Sequence, residues 1–372
     1  MTGTMRAAVL HAAGDLRVED REVPTPGPGE VLVRVAVCGV CGTDATEYDR
    51  GPVLTVPPVV LGHEFTGVVE AVGEGVEGLE PGAVVVCGAG VSCGACKRCR
   101  EGRTNLCREY RTLGLQLDGG LAGYVVAPAG ILLDVSDSGL PLDTLGLVQP
   151  MAIAVHVVSR SGLRVGQDAV VVGVGGIGSF ITFAAAASGA RVVAVDRSPA
   201  RLELARALGA SDTVLADEPL PDRLRRLGVE PDVLFEVSGS SAGLEAVFAA
   251  AVPGSVIVPV GVQKAEVAVP LGSWTLRELA VVGSVAHVFA TDVPEAVRLL
   301  GTRLDWSDLA AEVLPLDGLV DDALAPLLRG GARQIKTLID PWIDVPRRAV
   351  HTRSSTSSSS ASSSSTSSSG ES

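Results

Sequence analysis

The residues best suited to chemistry stand near the start of the chain. Val37-Cys38-Gly39-Val40-Cys41-Gly42-Thr43-Asp44 is followed some twenty residues later by Gly62-His63-Glu64. Cys41, His63 and Glu64 offer a thiolate, an imidazole and a carboxylate, a mixture that zinc accepts. A catalytic zinc takes three protein ligands and keeps one position open. Thr43 adds a hydroxyl two residues after Cys41, and Asp44 could orient His63 from behind. A Cys and a His at this distance are weak evidence alone; two downstream motifs strengthen them.

The first is Cys93-Gly94-Ala95-Cys96-Lys97-Arg98-Cys99 with Cys107. The segment has little apolar content and cannot bury enough surface to hold itself. Four thiolates around one zinc would supply the missing folding free energy, and a closed four-thiolate site is structural. Ligand type alone also permits an iron–sulfur cluster. The second motif is Gly173-Val174-Gly175-Gly176-Ile177-Gly178, a G-x-G-x-x-G. It follows a Val-rich run and opens an Ala-rich one. Gly173 makes a tight turn, Gly175 lets a pyrophosphate approach, and Gly178 allows close helix–strand packing. The helix start favours the anion. Asp196, at the end of the next apolar run, would accept bonds from a ribose 2′-hydroxyl and repel a 2′-phosphate. That points to NAD rather than NADP, with Arg197 softening the preference.

The elements that must position these groups fall into two patterns. Up to about residue 150, short alternating strands and frequent Gly/Pro turns predict a β-rich domain, with a hairpin over 5–19 and strands over 30–38 and within 59–72. From Pro141 the period changes. A helix is expected over 142–161, then strands near 168–172, 191–195, 213–215, 232–237, 255–260 and 280–285. Helices near 176–188, 199–208, 221–227, 242–251 and 293–300 complete the alternation, and together these predict a doubly wound parallel sheet. The fold class is therefore α/β. Residues 354–369 are almost pure serine and have almost nothing apolar to pack.

Composition narrows the partners. The 372 residues carry a net charge of −13 and are 47% hydrophobic but only 3% aromatic, which argues against nucleic acid, a zinc knuckle included. The first fourteen residues lack an apolar signal core, so the seven cysteines read as metal ligands or core residues rather than a disulfide frame. Residues 169–190 are uncharged and long enough to span a bilayer, but the glycine motif inside them favours a strand and a helix. Cys38 and Cys87 read as small core residues. His156 reads as a core histidine, His287 as a candidate for the substrate cleft, and His11 and His351 as exposed.

In this order, the three motifs resemble those of the zinc-dependent medium-chain dehydrogenases, the alcohol, polyol, threonine and glucose dehydrogenases, over residues 5–341. The resemblance implies a GroES-like catalytic domain (1–150) with a structural zinc lobe (93–107) and a Rossmann NAD-binding domain (151–285). A return to the catalytic domain (286–345) and a disordered serine-rich tail (346–372) follow. It implies that Cys41, His63 and Glu64 serve a catalytic zinc, Glu64 as a carboxylate that can enter or leave. Cys93, Cys96, Cys99 and Cys107 hold the structural zinc, Asp44 backs His63, and Thr43 takes the substrate proton. Asp196 with Arg201 would flank the adenosine ribose. Val260, Ser284 and Ala286 would hold the nicotinamide amide through their backbones, and Lys336 would lie near the pyrophosphate. The implied reaction interconverts a secondary alcohol, polyol, sugar or cyclitol hydroxyl with its ketone or lactone, through a zinc alkoxide and hydride transfer to NAD. A cytoplasmic homodimer or homotetramer, without membrane or nucleic-acid partners, goes with it.

Two positions depart from the family pattern. Gln149 stands where many polyol-type members have a glutamate that binds zinc or its water. Thr46 stands where many have a relay histidine. A zinc-free quinone or enone reductase of the same superfamily and a non-catalytic NAD-binding protein are the alternative readings.

Overall fold

The computed structural model describes residues 3–263 and 265–352. The β-rich part is built on the strand Glu30–Gly39, buried along most of its length. Glu64–Val72 and Tyr124–Pro128 pair with it antiparallel. Val84–Cys87 and Leu132–Asp134 extend the sheet on one side. On the other side the sheet is completed from the far end of the chain, by Leu338–Asp340, Glu312–Pro315 and Arg347–Arg348. The chain thus leaves this domain and returns to it. The hairpin forms a separate small sheet from Thr4–Ala12, Asp15–Glu22 and Val59–Val60.

The second part is a six-stranded sheet in which every pairing is parallel. Its spatial order is Asp212–Leu215, Arg191–Asp196, Asp168–Val172, Val233–Glu236, Val256–Pro259, Ala280–Val281. The order reverses between Asp168–Val172 and Val233–Glu236, where doubly wound sheets open a crevice for ligand. Helices cover both faces, so the strands are buried on both sides and read as unbroken apolar runs. The uncharged run 169–190 is a strand, a turn and the helix Gly176–Ala187. Among the described residues no helix is long and apolar enough to cross a membrane.

One apolar cluster joins the two parts. It holds Val37 and Val86 of the first sheet, Met151 and Val157 of the helix Val148–Ser161, and Phe180 and Trp306 of the second part. Trp306 stacks on Phe180 at 6.3 Å, meets Phe183 edge-on at 4.9 Å, and donates its indole N–H to the Leu300 carbonyl.

Several boundaries differ from the sequence expectation. The helix predicted over 142–161 is two helices, Leu142–Leu145 and Val148–Ser161. Pro150 falls in the first turn of the second, where a missing N–H costs no intrahelical bond, so the helix restarts just before it. The last parallel strand ends at Val281 instead of 285, because the chain turns there and Ala286 takes a left-handed φ of 50°. The next helix begins at Phe289, four residues early, with Asp292 accepting the Val288 N–H at its start. The tail boundary at 346 is corrected: Arg347–Arg348 is a strand, and His351 is buried rather than exposed. His351 meets the Thr144 hydroxyl at 3.0 Å and the Ala310 carbonyl at 2.7 Å. The serine run lies outside the described residues.

Near the metal motif, Glu47 fixes the loop that leaves the helix Gly42–Arg50. Its buried carboxylate accepts from the amides of Val53, Leu54 and Thr55 and from the Thr55 hydroxyl. Burial raises its pKa, but these four donors outweigh burial and leave it below the ordinary 4.5. A depressed carboxyl stabilises the fold above its unfolded value and loses that contribution as pH falls through its folded value. Glu47→Gln should therefore lower the melting temperature most above pH 4.5. The gap to wild type should close as the solution is acidified below it. Thermal melts of both proteins across that window check this; a gap independent of pH contradicts it.

Candidate metal centre and nucleotide cleft

Cys41 is the N-cap of the helix Gly42–Arg50, with extended backbone. Asp44, three residues on, turns back and accepts the Cys41 N–H at 2.8 Å. This reciprocal cap presents the thiol at the helix mouth, with the Thr43 hydroxyl 3.7 Å away. Gly62 takes a φ of +95°, and a Cβ there would stand 2.7 Å from Cys38 Sγ and 2.8 Å from the Leu121 nitrogen. Only glycine lets the chain turn here and deliver His63 and Glu64 to Cys41. The donor atoms of Cys41, His63 and Glu64 lie within 4.8 Å of one another.

The electrostatics fit a cation. Asp44 is fully buried and His63 nearly so, with Asp44 Oδ1 3.7 Å from His63 Nδ1. Neither atom has a hydrogen-bond partner among the described residues. Burial, joined by the charge of Glu64, raises Asp44 against the opposing pull of His63 and the Cys41 N–H. Burial would lower His63, yet the charges of Asp44 and Cys41 prevail and push it up to about 10. A soft thiolate, an imidazole backed by a carboxylate, and a second carboxylate form a donor set suited to zinc.

Glu64 is already engaged. Both its oxygens accept from Lys336 Nζ, at 2.9 and 2.6 Å, and the same ammonium meets the Val40 carbonyl at 3.3 Å. Burial opposes the charge on Lys336, but Glu64 and Cys41 hold its pKa above the ordinary value. The resemblance puts Lys336 near the pyrophosphate; here its ammonium faces Glu64. Its three donors are spent on Glu64 and Val40. Its neighbour Ile335 does adjoin the glycine turn, with its carbonyl 3.9 Å from where a Gly176 Cβ would stand. No local signal in the sequence pairs Lys336 with Glu64, which lies 272 positions away. Thr46 donates its hydroxyl back to the Gly42 carbonyl. Gln149 sits half-buried in the first turn of Val148–Ser161.

The second cysteine group is assembled as its spacing suggested. The donors of Cys93, Cys96, Cys99 and Cys107 lie within 4.8 Å of one another. The Cys99 amide and other backbone N–H groups hold Cys96 down to about 6, and the Cys93 and Glu109 amides lower Cys107. Backbone donors aimed at sulfur favour thiolates, the form a metal binds. Cys38 and Cys87 are buried core residues, and burial raises both, Cys87 to about 12.

At the glycine turn each position has a visible reason. Gly173 has a φ of +97°, and a Cβ on Gly178 would stand 1.8 Å from the Gly173 carbonyl oxygen. A Cβ on Gly175 would meet only Arg201 Nη1, at 4.0 Å, which leaves room for a ligand. Ile177, in the first turn of the helix Gly176–Ala187, is partly buried and packs against the apolar cluster that joins the two parts. Asp196 is buried and braces the turn, accepting from the Val174 and Ser198 amides, with Arg201 3.8 Å away. Val260 and the 284–286 turn follow neighbouring parallel strands at their C-terminal ends. His287 is buried between Gly88 and Phe289, and burial lowers it to about 4. His156 is a buried core histidine with both ring nitrogens bonded.

A metal-binding β domain and a dinucleotide-type sheet, joined through one apolar cluster, define an oxidoreductase of the alcohol-dehydrogenase class. Residues 27–137 match the alcohol dehydrogenase GroES-like domain, and residues 176–302 match the zinc-binding dehydrogenase domain. The chain is 30% identical to a (R,R)-butanediol dehydrogenase of Neisseria gonorrhoeae, over 91% of this chain and 99% of the relative. It is 32% identical to a sorbitol dehydrogenase of Gallus gallus, over 91% and 98%. A candidate zinc-binding dehydrogenase of Sinorhizobium meliloti 1021, solved with NADP, is 29% identical and superposes with a TM-score of 0.82 over 91% of this chain and all of that one. The protein belongs to the zinc-dependent medium-chain dehydrogenase family, enzymes of zinc and a nicotinamide cofactor.

The Asp44–His63 contact yields a direct test. Asp44→Ala should weaken retention of one of two zinc ions by about 10- to 100-fold in chelator competition, leaving the cysteine-lobe ion in place. Equal retention of both ions in the variant and in wild type contradicts the role given to Asp44.

Proposed function

We propose that the protein oxidises a secondary hydroxyl of a small alcohol, polyol, sugar or cyclitol to the ketone or lactone, reversibly and with NAD. The observation that carries this is the convergence of Cys41, His63 and Glu64 around one point, with Thr43 beside Cys41. The polyol and diol relatives support the substrate class.

When bound, zinc supplies Lewis-acid stabilisation of developing negative charge on the substrate oxygen and the nicotinamide accepts the hydride. Cys41 and His63 would hold the ion. Asp44 fixes the orientation of His63 and balances its charge. Lys336 restrains Glu64 by bonding both of its carboxylate oxygens. Thr43 Oγ1 takes the hydroxyl proton of the substrate as it releases its own to solvent; Thr46, bonded to Gly42, is not a relay. Gly175 leaves space for the pyrophosphate. Asp196 keeps a carboxylate where the adenosine ribose would lie, which favours a free 2′-hydroxyl over a phosphate. Gln149 leaves the site one negative charge short of the family pattern.

A panel of secondary alcohols, polyols and sugars, offered with NAD and separately with NADP to zinc-loaded enzyme, tests the reading by the appearance of reduced cofactor. Failure of every substrate with both cofactors sinks it. Asp196→Asn removes the charge and keeps an acceptor for only one of the Val174 and Ser198 amides, which bond to different carboxylate oxygens. It should lower the NAD-to-NADP ratio of kcat/KM by about tenfold or more, the equivalent of one charge-assisted contact. An unchanged ratio denies Asp196 its part in cofactor choice.

A further inference from the structure

The cysteine lobe does more than fold on itself. Asn105 lies in its short turn Thr104–Leu106, two residues before Cys107, and is buried. Its side-chain amide donates to the Val285 carbonyl at 2.9 Å and to His156 Nε2 at 3.2 Å. His156, on the helix Val148–Ser161, makes a 2.8 Å bond from Nδ1 to Asp292 Oδ2. Asp292 accepts the Val288 N–H at 2.6 Å and the Thr291 hydroxyl at 3.1 Å. The bonds assign every proton consistently. Asp292 is an acceptor, so Nδ1–H donates and Nε2 receives one Asn105 proton, leaving the other for Val285. The chain of contacts runs from the cysteine lobe to the carbonyl in the middle of 284–286.

That stretch needs holding. Ala286 sits at a φ of 50°, where a side chain is disfavoured. Val285 is 57% exposed. The Ser284 hydroxyl is buried without a partner among the described residues. Side-chain packing therefore does little to fix the peptide planes on either side of Val285, whereas the Asn105 bond fixes one of them directly.

We propose that Asn105, oriented by His156 and Asp292, is a positioning residue that holds the 284–286 turn in the shape that receives the nicotinamide carboxamide. The four-cysteine lobe thereby sets the placement of the hydride-accepting ring. This rests on the reading that Ser284 and Ala286 contact the nicotinamide.

ADP-ribose shares the adenosine, pyrophosphate and second ribose of NADH but lacks the nicotinamide, so equilibrium binding of the two to the zinc-loaded protein isolates the turn. Wild type is expected to bind NADH more tightly than ADP-ribose. Asn105→Ala should lose about tenfold in NADH affinity, the size of one hydrogen bond, with ADP-ribose affinity changed by less than about twofold. Metal analysis shows whether the lobe keeps its zinc. If it does not, His156→Phe, distant in sequence from the cysteines, carries the same expectation of a selective loss. Parallel losses for both ligands, or unchanged NADH binding, in a variant that keeps two zinc ions overturn the proposal. A wild-type protein that binds NADH no better than ADP-ribose overturns the nicotinamide reading itself, and the inference with it.

Discussion

Charge balance inside a dry junction is the constraint on which the rest depends. Asp44, Glu64, His63 and Lys336 are all buried, and Cys41 adjoins them. With Cys41 as thiolate, the group holds three anions against one ammonium, an excess of two negative charges. Isolated charges of that kind are not tolerated in a protein interior without partners. A divalent cation between Cys41, His63 and Glu64 cancels the excess. The rise of His63 to about 10 expresses the same imbalance, since a protonated ring is the nearest substitute for the ion.

The backbone serves this cluster. Gly62 bends so that the chain can pass Cys38 and Leu121, and the Cys41 cap sets the thiol at a helix mouth. Lys336 comes from the far end of the chain, beside the strand Leu338–Asp340 that completes the first sheet. The return of the chain to its first domain is thus what brings in the counter-charge for Glu64. The topology and the electrostatics are one arrangement.

Much of this was legible in the sequence because local rules governed it. The glycine turn, the parallel alternation and the cysteine spacing each need specific residue types at fixed offsets, and the fold reproduces them. What escaped was non-local. The partner of Glu64 is 272 positions away, and that of Asn105 is 180. Neither distance leaves a periodic trace. His156 was read correctly as a core histidine, but its two polar partners, Asn105 and Asp292, come from separate segments and give no local signal. His351 was misread for a related reason: its burial depends on Thr144 and Ala310, far away in the chain, while the serines that follow it suggested a solvated end. The break at residues 146–147 was hidden because apolar spacing continues across it, and only Pro150 marks the restart.

That restart has a structural consequence. Gln149 and His156 are seven residues apart, two turns of one helix, so they lie along the same stripe about 10 Å apart. The same helix is clad by Met151 and Val157 in the cluster that joins both sheets. A continuous helix from residue 142 would require an unmatched carbonyl opposite Pro150 and would fix a different rotation for everything beyond it. Beginning afresh at Val148 sets the phase that turns His156 toward Asn105 and Asp292. One helix packed into the cluster shared by both sheets therefore carries His156 into the polar network with Asn105 and Asp292.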